Sequence, residues 1–124
     1  MTLLESGEDY LEAILMLSKN QKEVRAIDVA NELNFSKPSV SIALKKLKEG
    51  GYIEIDSKNL LTLTESGLEV ASKIYERHIL LTTILEKLGV DSGTAAKDAC
   101  RLEHDMTPQT FSAIKKYYNE KMKK

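Results

Sequence analysis

Cys100, Glu103 and His104 stand at i, i+3 and i+4, the spacing that places side chains on one face of a helix. A thiolate, a carboxylate and an imidazole set out this way can bind a divalent transition metal. Asp9 and Glu12 repeat the i, i+3 interval near the N-terminus, and His78 falls on a long apolar seam between the two groups. Taken singly, each has a plainer reading. A lone cysteine is commonly a small buried hydrophobe, a histidine on an apolar seam is ordinarily a satisfied core residue, and acids near a helix start complement its positive end. Their convergence in three helical groups is what points to a metal site.

These residues must be positioned by helices, and the periodicity supplies them. Glu8 to Leu17 is amphipathic, with Tyr10, Leu11, Ile14, Leu15 and Leu17 on one face. Ala26 to Leu33 reads as a short helix. After the break at Asn34-Phe35-Ser36 a further helix runs to about Glu49, with Ser36 as its N-cap, Pro38 in its first turn and Gly50-Gly51 closing it. Its inward set is Val40, Leu44 and Leu47. Residues 52–55 and 60–63 flank the polar tip Asp56-Ser57-Lys58-Asn59, a hairpin signal. Thr64 then caps a long helix to about Leu88, whose seam is Ala71, Ile74, His78, Leu81, Leu85 and Leu88. Another helix is expected from Asp91 or Ser92 through Met106, and Thr107-Pro108 opens the last.

A short helix, a tight turn, a longer helix and an immediate hairpin outline a winged helix-turn-helix. The longer helix would enter the major groove of DNA with Ser36, Lys37, Pro38, Ser39, Ser41 and Ile42 toward the bases. Lys45, Lys46 and Lys48 suit the backbone, and Lys58 at the hairpin tip suits an adjacent phosphate. The DNA-binding set is therefore Arg25, Ser36, Lys37, Pro38, Ser39, Ser41, Lys45, Lys46 and Lys58. The fold class expected is mainly α with a small β-hairpin wing: a winged helix-turn-helix over residues 1–64 and a helical metal-binding and dimerisation domain over residues 65–124.

Composition narrows the classes further. Net charge is −1, but its distribution is uneven. Four lysines face one acid between Lys37 and Glu49, whereas the first twelve residues hold four acids and no base. A local DNA-facing patch with an acidic site elsewhere fits this pattern. No apolar run approaches a membrane span, and the acidic start is unlike a signal peptide. One cysteine in 124 residues allows no internal disulfide, so a cytoplasmic protein is expected. There is no Gly-rich phosphate loop and no nucleophile elbow, so an enzyme is not expected. The alternative function is a winged-helix regulator that answers to redox or an organic ligand rather than metal.

Glu8-Asp9-Tyr10-Leu11-Glu12, Ser36-Lys37-Pro38-Ser39-Val40-Ser41, residues 62–67, Glu76-Arg77-His78 and Ala99 to His104 occur in an order that resembles the diphtheria-toxin-repressor/manganese-transport-regulator (DtxR/MntR) family. The resemblance covers nearly the whole chain. It implies a homodimeric repressor of metal-homeostasis genes, with Fe(II) or Mn(II) as co-repressor and a palindromic operator as partner. It implies one metal site of Asp9, Cys100, Glu103 and His104, and a neighbour of Glu12 and His78 that shares Glu103. Metal would staple the N-terminal helix to the dimerisation domain.

This chain departs from both branches of that family. The iron-sensing branch usually has methionine where Asp9 stands, and the manganese branch usually has glutamate where Cys100 stands. Thr82 and Ala96 replace the extra-site ligands of the iron branch, and the chain stops before the family's SH3-like domain. A thiolate favours Fe(II), while oxygen donors suit Mn(II). The thiolate tips the expectation to iron, with manganese next; Zn, Co or Ni would bind in vitro by the usual affinity order.

Overall fold

The computed structural model describes residues 5–123. Helices α1 (Glu5–Asn20), α2 (Ala26–Leu33) and α3 (Lys37–Glu49) are followed by strands β1 (Ile53–Ile55) and β2 (Leu61–Leu63). Helix α4 (Glu65–Lys87), α5 (Ser92–Leu102) and α6 (Pro108–Tyr117) complete the order, with a π-helical turn over Tyr118–Met122. The chain forms two compact units that divide inside α4, the first ending at Lys73 and the second starting at Ile74.

The first unit is a winged helix-turn-helix. Leu11, Ile14, Val29, Val40, Leu44, Leu47, Ile53 and Ala71 pack in one buried cluster drawn from α1, α2, α3, β1 and the start of α4. Each helix end has a local chemical cause. The backbone N–H of Arg25 donates to the Asp28 carboxylate at 2.8 Å and so fixes the start of α2. Asn34 adopts a left-handed conformation (φ 58°) that stops it. The Ser36 hydroxyl accepts from the Ser39 N–H at 3.3 Å, as an N-cap should. Gly51, at φ 83°, turns the chain from α3 into the wing, a conformation that costs a glycine little.

The wing pairs antiparallel with Ile53 opposite Leu63 and Ile55 opposite Leu61. At its tip one Asp56 carboxylate oxygen accepts from the N–H groups of Lys58 and Leu60, at 2.8 and 2.9 Å. A side chain thus replaces the turn's missing backbone partners. The base of the wing is locked to α4. Thr64 donates its hydroxyl to the Gly51 carbonyl at 2.6 Å and accepts from the Gly67 N–H at 3.2 Å. Gly67 is buried there, with the Tyr52 carbonyl oxygen 2.0 Å from where a Cβ would lie.

The second unit is helical, with Ile74, Leu81, Ala95, Ala99 and Phe111 buried. Of the seam expected on α4, Ala71, Ile74 and Leu81 are buried; Leu88 lies just past the helix end and is 69% exposed. Helix α5 starts with Asp91 as N-cap and ends at Leu102, four residues before the expected Met106. The Glu103 N–H still donates to the Ala99 carbonyl at 2.9 Å, but the Asp105 N–H turns back to the Leu102 carbonyl at 3.1 Å, and there the α-helical ladder is left.

Gly67→Ala should destabilise the first unit by about 3 kcal/mol, because a methyl group cannot coexist with the Tyr52 carbonyl. Gly93→Ala, where the nearest atom is a side-chain oxygen at 3.4 Å, should change stability little. Urea denaturation of both variants checks the contrast.

Candidate metal centre and nucleic-acid interface

In the second unit, the side chain of Glu103 is wholly buried, at 0% exposure, and no hydrogen-bond donor reaches either carboxylate oxygen. His78 Nδ1 lies 3.5 Å from Glu103 Oε1. A carboxylate stripped of water loses several kcal/mol of hydration and needs compensating positive charge. Imidazole and carboxylate at this separation offer nitrogen and oxygen donors to one cation. The donor chemistry therefore fits a divalent metal.

The segment carrying Glu103 is held by its backbone. Arg77 Nη1 donates to the carbonyls of Glu103 at 2.9 Å and Met106 at 3.0 Å. Its guanidinium also sits 5.4 Å from the centre of the Phe111 ring. Arg77 thus satisfies two carbonyls of the segment that follows α5 and holds that segment in place. The sequence motif Glu76-Arg77-His78 contained this residue, but nothing in its spacing revealed a partner twenty-six residues away. The neighbouring Glu76 is taken by Lys115, at 2.8 Å.

Helical spacing did not place its three residues alike. Glu103 is buried and His104 half-buried, whereas Cys100 is exposed. Helix α5 ends before Glu103, so the shared face applies only in part. In the first unit Glu12 is buried, at 7% exposure, and Asp9 is half-buried. Glu12 and Glu103 are the buried charged residues among those described.

The DNA-facing candidates all lie on the surface of the first unit. Ser36, Lys37, Pro38, Ser39, Ser41, Lys45 and Lys46 are exposed along α3. The hydroxyls of Ser36 and Ser39 bond each other at 2.9 Å as part of the cap. Arg25, Ser41, Lys45 and Lys48 rim a groove beside the wing, floored in part by Leu44 and Leu61. Lys58 is exposed on the wing tip. The Asp56 carboxyl below it is held beneath the usual carboxylate range by the Leu60 N–H, with further help from the Lys58 N–H and charge.

A winged helix with a cationic outer helix, joined to a helical unit that buries a metal-fitting carboxylate, defines a class: the metal-dependent transcriptional repressors. Residues 2–61 match the family model of the iron dependent repressor N-terminal DNA-binding domain, and residues 64–123 that of its metal-binding and dimerisation domain. The chain belongs to this iron-dependent repressor (DtxR/MntR) family.

An HTH-type transcriptional regulator of Methanocaldococcus jannaschii is 36% identical over 121 residues, 96% of each chain. The transcriptional regulator MntR of Escherichia coli O157:H7 is 34% identical over 108 residues, 87% of this chain and 70% of that one. The solved manganese regulator SloR is 28% identical with a TM-score of 0.80, over 96% of this chain and 55% of that one. A manganese-dependent transcriptional repressor in complex with manganese is 30% identical with a TM-score of 0.78, over 87% and 50%. The chain thus spans about half the length of those two structures. No helix among the described residues is long and apolar enough to cross a membrane.

Two outcomes are expected. Arg77→Lys keeps the charge but loses the planar fork, and should weaken metal binding about tenfold without removing a donor; isothermal titration with Mn(II) measures it. Asp56 has its pKa lowered by folding, so its contribution is present above the unfolded value and is lost as pH falls through the folded one. The Lys58 and Leu60 amide signals should therefore titrate with a midpoint below 3.8, and lose that transition in Asp56→Ala, as followed by NMR.

Proposed function

We propose that this protein represses transcription as a homodimer on a palindromic operator, with Mn(II) as the signal and Fe(II) as the nearest competitor. Residues 1–64 form the DNA-binding domain in this reading, and residues 65–124 the metal-binding and dimerisation domain. One observation carries it: the two acids buried among the described residues, Glu12 and Glu103, both belong to the ligand set read from the sequence. That set is Asp9, Glu12, His78, Cys100, Glu103 and His104. The manganese proteins among its relatives support the choice of metal. So does the burial of the Glu12 and Glu103 carboxylates, since oxygen donors suit Mn(II).

A bound divalent cation supplies the positive charge that the buried acids require. Glu103, wholly buried, costs several kcal/mol without it, so conformations that hydrate it gain population in metal-free protein. About 5.5 kcal/mol separates a 1:99 from a 99:1 population. Lys37, Ser41, Lys45 and Lys46 then bind the operator from whichever conformations hold the two reading heads at half-site spacing.

Operator affinity measured by fluorescence anisotropy should rise at least about tenfold with Mn(II) over chelated protein. Glu103→Ala should abolish that rise while leaving weak, salt-sensitive binding. Equal affinity with and without metal would defeat the proposal.

A further inference from the structure

Ile42 is 60% exposed, more than Ile27, Phe35 or Leu68 of the same unit. Phe35 has a packing partner, since its ring centre lies 5.8 Å from that of Tyr10. Ile42 has no such account. It is two residues from both Val40 and Leu44, the buried side of α3, and two residues turn a helix by about 200°. Its side chain therefore belongs to the outer face, with Pro38 and Lys46 one turn to either side and Lys45 adjacent.

An isoleucine there adds little to the fold. It is β-branched on a helix, and its exposed surface is apolar within a polar, cationic strip. Folding alone would prefer lysine, glutamate or alanine at such a position. The chemistry that rewards an apolar group among lysines and serines is a methyl group on a polyanion. In the major groove the C5-methyl of thymine is that group. Ile42 is the sixth residue of α3, about 7.5 Å along the axis from Lys37, within the N-terminal half of a recognition helix that reaches base edges.

We infer that Ile42 determines sequence specificity by packing on a thymine methyl group in each half-site, while the lysines around it hold phosphates. This rests on the DNA-reading function proposed above and adds a base to it. The contact carries sequence information that Lys45 and Lys46 do not, because phosphates are the same at every step.

The test removes one methyl group from the DNA. Duplexes enriched from a random pool by the Mn(II)-loaded protein are re-synthesised with each thymine in turn replaced by deoxyuridine, which keeps every hydrogen bond and loses only the methyl. At one thymine per half-site the wild-type protein should bind about fourfold more weakly to the deoxyuridine duplex, the effect of one buried methyl. Ile42→Ser should bind the two duplexes equally, with its salt dependence unchanged because no phosphate contact is lost. If no thymine is sensitive, or Ile42→Ser keeps the same fourfold preference, this inference is overturned and DNA reading stands. If no duplex is enriched, the DNA-reading proposal falls, and this inference with it.

Discussion

Glu103 sets the terms for the second unit. Its carboxylate is cut off from water and from every hydrogen-bond donor, and an ionised group in that state is among the most expensive things a small domain can bury. His78, at 3.5 Å, lies close enough to share a cation with it. Arg77 fastens the carbonyl of Glu103 and not its carboxylate. The Arg77 guanidinium thus fixes the backbone here and leaves the carboxylate to His78.

The first unit follows a different logic, in which everything serves the placement of two surfaces. Val40, Leu44 and Leu47 anchor α3 in the core, and this fixes which side of the helix faces outward. Thr64 and Gly67 bring the start of α4 against the Tyr52 carbonyl, so the base of the wing is fastened to the first turn of that helix. Asp56 then orders the wing tip on which Lys58 is presented. The lysines contribute affinity that salt weakens; their arrangement comes from apolar packing and from a few side-chain-to-backbone bonds.

Most of this architecture was legible in the sequence because its signals are local. Ser36, Pro38 and Gly51 mark α3, Asp56 to Asn59 mark the hairpin, and α2 has the limits its apolar spacing gives. The metal-binding half was read less completely. Cys100, Glu103 and His104 lie within one helical turn in sequence, yet α5 ends at Leu102 and their burial diverges. The segment just past that end is held by Arg77, whose bonds reach across twenty-six and twenty-nine residues, and periodicity carries no information about such contacts. The steric lock at Gly67 was hidden for the same reason: a glycine in the first turn of a helix reads as a weak helix former, not as the seat of a neighbouring carbonyl.

A buried Glu103 carboxylate should weaken the metal-free protein, and a bound divalent cation should relieve it. Thermal unfolding of wild type and Glu103→Gln, each with chelator and with Mn(II), tests it most directly. The chelated Glu103→Gln protein should melt about 5 °C or more above chelated wild type, and Mn(II) should raise the melting temperature of wild type but scarcely that of the variant. A chelated variant that melts below wild type, or one that gains as much from Mn(II), would contradict it.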